Sequence, residues 1–483
     1  MTAGSPPSHV ELGTASLSTR IVWLLVATSL GSALLATLWF TVVTLPVRLP
    51  YWGEAEVVFE ASRLRAHLPL YVDPLVGSFD TGEPPSRFYV TYPPIWSWVV
   101  SLVPANVALV AARGACTAAW LGLLAAVAWT SRAETRREAI AVASFVAGIW
   151  VLANFATIGR PDAIACALAA FALVRTVRRG SLDLVSVALF VLVPWVKPTL
   201  IGLPIGALVG ALLVAPPARR PWRLLGAAAV LAGSSALVAH LASRGALFTH
   251  VILSNAQPFS ASVWFGQVSG RLVFFAPLLG FAGWLGWRDR TAAGSRIGLG
   301  ALVGATLWTL IALAKTGSSS NYWMEPCVAA AVLVAQAAPG PVRFGGGRLG
   351  HAVAALVFTL WADVASVRGA VEHAKTMADD AAFVASLRAR MGLGRDDVIA
   401  ADEAGIEFVM NGRILMPTYQ MVHLVRRGRF PAAPWIAELT SERTRCFVEH
   451  TGQLRLAPEL QEALERSYVL TLEEQGFKVW TRR

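Results

Sequence analysis

Acidic and basic side chains recur at short intervals between long apolar runs: Glu54 and Glu56 in YWGEAEVV, Arg160 and Asp162 in GRPD, Lys197 in VKPT, Lys315 in AKTG, and Asn321, Tyr322 and Glu325 in NYWMEP. Ionisable groups near membrane depth are costly, so a set of them on one side of a bilayer is a functional-site expectation. Carboxylates beside several cations suit the displacement of a lipid phosphate from a sugar. A carboxylate takes the proton of an acceptor hydroxyl as it attacks the anomeric carbon. Cations stabilise the departing phosphate, and Arg does so with paired hydrogen bonds. This chemistry needs no nucleotide-binding glycine loop, and no strand-flanked one is evident.

The elements that must position these residues are membrane spans. The 483 residues are 55% hydrophobic and 15% charged, with mean hydropathy +0.56, against about 25% charged in soluble domains. Apolar runs predict crossings near 21–45, 106–130, 138–157, 162–178, 182–196, 199–214, 222–243, 268–287, 297–314, 323–338 and 350–366, eleven in all. The net charge of +11 sits in Arg clusters between alternate runs: Arg20; Arg132, Arg136 and Arg137; Arg175, Arg178 and Arg179; Arg219, Arg220 and Arg223; Arg288, Arg290 and Arg296; Arg343 and Arg348. This is a topology signal that places those connections in the cytoplasm, and it argues against a nucleic-acid partner. The expected layout is a cytoplasmic N-terminus (1–20), a transmembrane domain (21–369) and an extracytoplasmic domain (370–483) of a plasma-membrane protein. The first apolar run is too long for a cleaved leader and reads as an anchor. Trp23, Trp39, Trp222, Trp284 and Trp287 fall near span ends, as interfacial anchors do.

The first outer loop, 46–105, predicts two interfacial helices. EAEVVFEASRLRAHLPLY places Val57, Val58, Ala61, Leu64 and Leu68 on one face, with Glu56, Glu60, Arg63 and His67 on the other. A polar loop at 73–87 follows, then YPPIWSWVVSLVP, which is too short to span. Between two cytoplasmic Arg clusters, Lys197 and Pro198 interrupt the 182–214 run, which predicts a short hairpin with Lys197 at its apex. Beyond about 375, helical DDAAFVASLRARM and PELQEALERS alternate with strand-like VIAAD, RCFVEH and FKVWTR. That pattern is a small α/β domain. Its single cysteine, Cys446, excludes an internal disulfide framework.

YWGEAEVVFEASRLRAHLPLYVDP, YVTYPPIW, GRPDAIACALA, WVKPT and KTGSSSNYWMEP occur in this order within residues 40–338. In that order and frame the chain resembles the GT-C superfamily of polyprenyl-phosphate-sugar-dependent glycosyltransferases, which includes protein O-mannosyltransferases and the lipid A aminoarabinose transferase. The resemblance implies a polytopic helical fold and an acidic base in the first outer loop, which maps onto Glu54 with Glu56 as its rival. Many relatives place an Asp closer to the first span than either Glu lies here. The implied reaction inverts the sugar, drawing on a lipid-linked donor among membrane lipids and delivering to an extracytoplasmic acceptor. Arg160, Lys197 and Lys315 would hold the phosphate, and Tyr92, Asp162, Asn321, Tyr322 and Glu325 would position the sugar or the cations. No metal or other cofactor is expected, since the cations could neutralise the phosphate.

Each residue also has an ordinary reading. Glu54 could stabilise a helix N-terminus, Arg160 and Asp162 could pair behind Pro161, and Lys197 could snorkel to the interface. Asn321, Tyr322 and Glu325 could be loop and span-end residues. Tyr89, Tyr92 and Trp96 could be interfacial packing, and Arg63 and Arg65 could meet phosphate or headgroups. His67 has no second His or Cys near it at metal-ligand spacing. At the level of the whole protein, the rivals are a ligase or polymerase using a lipid diphosphate donor, and a transporter whose charges line a passage.

Overall fold

The computed structural model describes residues 31–32, 34–51, 53–71, 90–130, 146–216, 220–253, 255–337, 348–415, 418–450 and 456–483. The start of the first span with Arg20 and Trp23, the 73–87 loop, Tyr89, Arg132, Arg136, Arg137, Arg219 and Arg343 lie outside the described residues.

Helices α1 (Leu34–Thr44), α2 (Glu54–Arg65), α3 (Pro94–Ser101), α4 (Ala108–Thr130) and α5 (Trp150–Ala156) lead into α6 (Asp162–Arg179). The hairpin follows as α7 (Leu184–Val196) and α8 (Gly202–Val214), and then come α9 (Trp222–Ala242), α10 (Ala261–Arg288), α11 (Ala293–Ala312) and α12 (Met324–Ala337). Among the described residues, four stretches are long and apolar enough to cross a bilayer, Ala105–Thr130, Trp222–Ala242, Ala261–Arg288 and Ala293–Ala312. They establish a multi-pass helical protein, and the expected count of eleven draws in part on residues outside those described. In α9 only Ala228 is buried, so nearly all of its apolar surface faces outward, as a lipid-exposed helix does.

Sequence sets the ends of these helices. Pro161 and the first-turn Asp162 open α6, Arg178 and Arg179 occupy its last turn, and Gly180 ends it at φ +65°. Asp183 then caps α7 by accepting from the Ser186 N–H at 2.8 Å. The legs α7 and α8 have 13 residues each, or about 20 Å at 1.5 Å per residue, so the predicted short hairpin is present. Gly202, Gly206 and Gly210 of α8 meet Gly300 and Gly304 of α11 backbone to backbone. A Cβ on Gly206 would come within 2.3 Å of the Gly300 carbonyl, and one on Gly304 within 2.6 Å of that of Gly202. Small residues at four-residue spacing permit this approach. They fix α8 against α11, and with it the loop that carries Lys197.

The expected separate crossing at 350–366 and helix at 379–391 are one continuous helix, α13 (Arg348–Arg390). The segment contains no Pro, and its two glycines do not break it: Gly350 stands in the first turn, and Gly369 faces the Trp150 indole, where a Cβ would meet it at 2.8 Å. A boundary at 370 therefore falls inside a helix. Beyond it come β1 (Val398–Ala401), α14 (Ala404–Asn411), α15 (Thr418–Arg426), α16 (Ala433–Leu439), β2 (Thr444–His450), α17 (Pro458–Ser467), β3 (Tyr468–Glu474) and β4 (Phe477–Arg482). The sheet order is β1-β2-β4-β3, with β1 parallel to β2 and the other pairs antiparallel. β3 was not expected as a strand. It pairs with β4 across Gln475 and Gly476, both at positive φ, as two-residue hairpin turns require.

This C-terminal domain, the outer domain of the expected layout, sits on the 46–105 segment. Ala404, Phe408 and Ile414 pack with Ala55 and Phe59 of α2, and Tyr51 donates to Asp380 at 2.6 Å. The expectation of α2 as a half-solvated surface helix is corrected as a result. Of the residues assigned to water, Glu60 and Arg63 are buried, because α3 and the C-terminal domain pack over that face, while Glu56 is part-exposed and His67, just past the helix end, is exposed. Arg63 donates to the Pro69 carbonyl at 2.7 Å and Arg65 to that of Val103 at 3.0 Å, so both serve loop carbonyls.

Candidate active site

Among the described residues, the Arg-bearing end of α6 and start of α11 lie at one end of the bundle and the candidate site residues at the other. At the first end, Gly294 lies against the Val177 backbone and the Gln336 side chain. At the other, the start of α6, the apex of the hairpin and the start of α12 converge on one carboxylate. Asp162 pairs with Arg160 at 3.2 Å and with Lys197 at 3.1 Å, and accepts from the Asn321 amide at 2.8 Å. Tyr92 closes the group: its hydroxyl accepts from Arg160 at 3.0 Å, and the Lys197 ammonium lies 4.5 Å from its ring centroid. Four segments widely spaced in sequence thus share one polar cluster. Asp162 is 1% exposed and Lys197 4% exposed, so their charges act in a medium that screens them far less than water does.

A cavity of about 910 Å³ opens beside this cluster. Glu56, Tyr92, Arg160, Lys197, Lys315, Asn321 and Tyr322 line it, and Asp402, Glu403 and Ala404 of the outer domain complete its wall. Arg271 of α10 also lines it. Sequence reading passed over Arg271, although a lone cation inside an apolar span is itself a signal. Its guanidinium bonds the Gln267 side chain one turn earlier. Among the described residues neither Arg271 nor Lys315 forms an ion pair, which leaves their charge available to an anion. Lys315 sits in the loop after α11, where burial and then the nearby Lys197 charge push its ammonium down to about 8.

The two candidate bases differ in kind. Glu54 is 1% exposed and its carboxylate is fully engaged. It receives the Arg113 Nε–H at 2.8 Å and an Nη2–H at 2.6 Å, the Tyr51 N–H at 2.7 Å, and the Gly159 N–H. The remaining Arg113 donors go to the carbonyls of Thr44, Val47 and Leu49 at 2.6–3.0 Å. With two donors on each oxygen, Glu54 has no lone pair directed at a substrate. In this arrangement Glu54 ties α2, α4 and the loop before α6 together. Arg113 was missed altogether. Two residues further along α2, Glu56 turns into the cavity, where its Oε2 is buried without a protein partner. Burial raises this carboxyl above its ordinary range, partly opposed by the Arg160 charge.

Glu325 also lies apart from the open cavity. It accepts the Leu203 N–H at 2.7 Å at the start of α8 and reaches Asp162, Lys197 and Asn321 only through a side pocket of about 10 Å³, roughly the room of one water. Trp96 donates to the Gly159 carbonyl at 2.9 Å and is a packing residue.

No family model matches the sequence, and no curated protein matches it. Among solved structures, the chain is similar to ArnT from Cupriavidus metallidurans. The form bound to undecaprenyl phosphate aligns with TM-score 0.58 at 13% identity, and the apo form with 0.59 at 14%; each alignment covers 96% of this chain and 98% of that one. The arabinofuranosyltransferase AftD from Mycobacteria aligns with TM-score 0.46 at 16% identity, over 97% of this chain and 40% of that one. The near-complete overlap with ArnT extends through the outer domain, so the chain shares the fold of that ArnT.

Proposed function

We propose that the protein is an inverting glycosyltransferase that moves a sugar from a polyprenyl-phosphate donor to an acceptor outside the cytoplasm. The observation that carries this reading is a single cavity holding Glu56, whose Oε2 has no protein partner, together with Arg160, Lys197, Lys315 and Arg271. Glu56 takes the proton of the acceptor hydroxyl as its oxygen bonds to the anomeric carbon. The bond from that carbon to the donor phosphate oxygen breaks, and the phosphate leaves with its electron pair. Lys315 and Arg271 meet the phosphate, while Asp162 holds Arg160 and Lys197 in place through the charge change. Asn321 fixes Asp162, and Tyr92 and Tyr322 shape the sugar's seat. The ArnT form that binds undecaprenyl phosphate has the same fold, which supports a lipid phosphate as the leaving group.

The sorting of Arg clusters to the end opposite this cavity supports a cytoplasmic N-terminus and an extracytoplasmic outer domain in the plasma membrane. Cysteine labelling from each side of sealed vesicles tests it: position 427 should react only from outside, position 290 only from inside.

The direct test supplies the purified chain, in lipid nanodiscs, with synthetic polyprenyl monophosphate and diphosphate sugars and follows release of the lipid phosphate. Turnover of a monophosphate donor is expected and should persist in chelator. Turnover of the diphosphate donor alone would replace this reading with the ligase class.

Lys315 gives the reaction a pH signature. Lys197 lies near enough to act on its charge, and Lys315 in turn acts on His423 of the outer domain. A cation with a lowered pKa is charged below about 8 and neutral above it. The donor KM should therefore rise as pH passes from 7.5 to 9, and Lys315→Arg, which stays charged throughout, should flatten that rise. An unchanged pH dependence in the Arg variant would remove Lys315 from donor binding.

A further inference from the structure

Asp402 lines the cavity from the outer domain, at the point where the chain leaves β1 for α14. β1 runs parallel to β2, and loops at the carboxyl ends of parallel strands are where α/β sheets present groups to ligands. The loop is held firmly: the Asp402 N–H donates to the Val448 carbonyl at 3.0 Å, and the His450 N–H donates to Oδ1 at 2.9 Å. His450 is itself stacked on Phe477 with centroids 4.5 Å apart. Those contacts account for one carboxylate oxygen. The other, Oδ2, is buried with no protein donor, on a residue 4% exposed. A buried acceptor without a donor is disfavoured unless a ligand satisfies it.

We infer that Asp402 binds a hydroxyl of the acceptor, which is a sugar or similar polyol head group. This rests on the transferase reading only in calling that molecule the second substrate. The donor's phosphate is accounted for by cations of the bundle, whereas Asp402 belongs to the outer domain and pairs with no cation among the described residues. Burial pushes its carboxyl up to about 8, with Glu449 adding to the rise. At neutral pH it is therefore an uncharged group that both donates and accepts, which matches neighbouring hydroxyls rather than a phosphate or an ammonium.

Asp402→Asn isolates the proposal, because the amide keeps an oxygen for the His450 N–H and loses only the second acceptor. Saturation-transfer NMR on the full chain in nanodiscs, with a mixture of methyl hexosides and methyl pentosides as probe, should show binding to the parent. Affinity should fall about tenfold in Asp402→Asn and stay at the parent value in Glu372→Gln, an exposed control on α13. Equal affinity in parent and Asp402→Asn, or no glycoside binding to the parent, overturns the inference. Glycoside binding that depends on Asp402 in a protein that releases no lipid phosphate would instead sink the transferase reading and leave this one standing.

Discussion

Glu56→Gln should lower the turnover number for sugar transfer by about 10²- to 10⁴-fold, the range for losing a general base, while leaving thermal unfolding within a degree or two of the parent. The amide keeps the shape of the side chain and removes its ability to take a proton. Glu56 Oε2 has no protein partner to lose, so the substitution breaks no existing hydrogen bond at that atom and replaces a buried carboxylate by a neutral amide. Donor KM should move much less than turnover, because the proton is transferred only in the transition state. Turnover in Glu56→Gln within threefold of the parent would eliminate this residue as base. The remaining acids on the cavity wall, Glu403 above all, would then be the ones to replace.

The contrast between Glu56 and Glu54 marks where sequence reading stops. Both acids stand in EAE, two residues apart, and a helical period separates their directions without saying which one meets a charge. The answer depends on Arg113, which lies 59 positions away in the apolar run AARGACTAAW. A cation in such a run is costly and calls for a partner, so its presence was a readable signal even though the partner was not. Arg271 in GQVSGRLVFF is the same case. Lys197, by contrast, was legible, because Arg clusters on both sides of 182–214 demand an even number of crossings and Lys197–Pro198 is the only place for the turn. GRPD was legible too: Pro and Asp at a helix start are local chemistry.

The outer domain was legible in part for similar reasons. PELQEALERS and the strands with alternating or apolar runs follow local patterns, and they coincide with α17, β1, β2 and β4. β3 escaped because it follows α17 without a break and exposes Val469 and Leu470, which blurs the alternation. The placement of Asp402 over the cavity, and the burial of both faces of α2, depend on how the domain docks. No local period encodes that docking. It is secured by contacts such as Gly405 against Pro50, where a Cβ would come within 2.1 Å of the carbonyl oxygen.

Arg113→Met should unfold the protein at a markedly lower temperature, with a loss of about 3–5 kcal/mol as expected when one partner of a buried ion pair is removed. The arginine is 0% exposed and all five of its N–H groups are used. Its removal leaves the Glu54 carboxylate buried with only the Tyr51 and Gly159 N–H groups, and takes the Arg113 donors from the Val47 and Leu49 carbonyls, while the Thr44 carbonyl keeps the Val47 N–H. Glu54→Gln should cost less, since the amide oxygen still accepts from part of the same set. The double variant should be less unstable than the two single losses added together, because the uncompensated charge is gone. That non-additivity separates the pair from mere crowding in the bundle: strictly additive losses would mean that Glu54 and Arg113 stabilise the fold independently. Any Glu54→Gln protein that remains folded should retain far more turnover per folded molecule than Glu56→Gln, because Glu54 holds the loop before α6 whereas Glu56 is the proposed base.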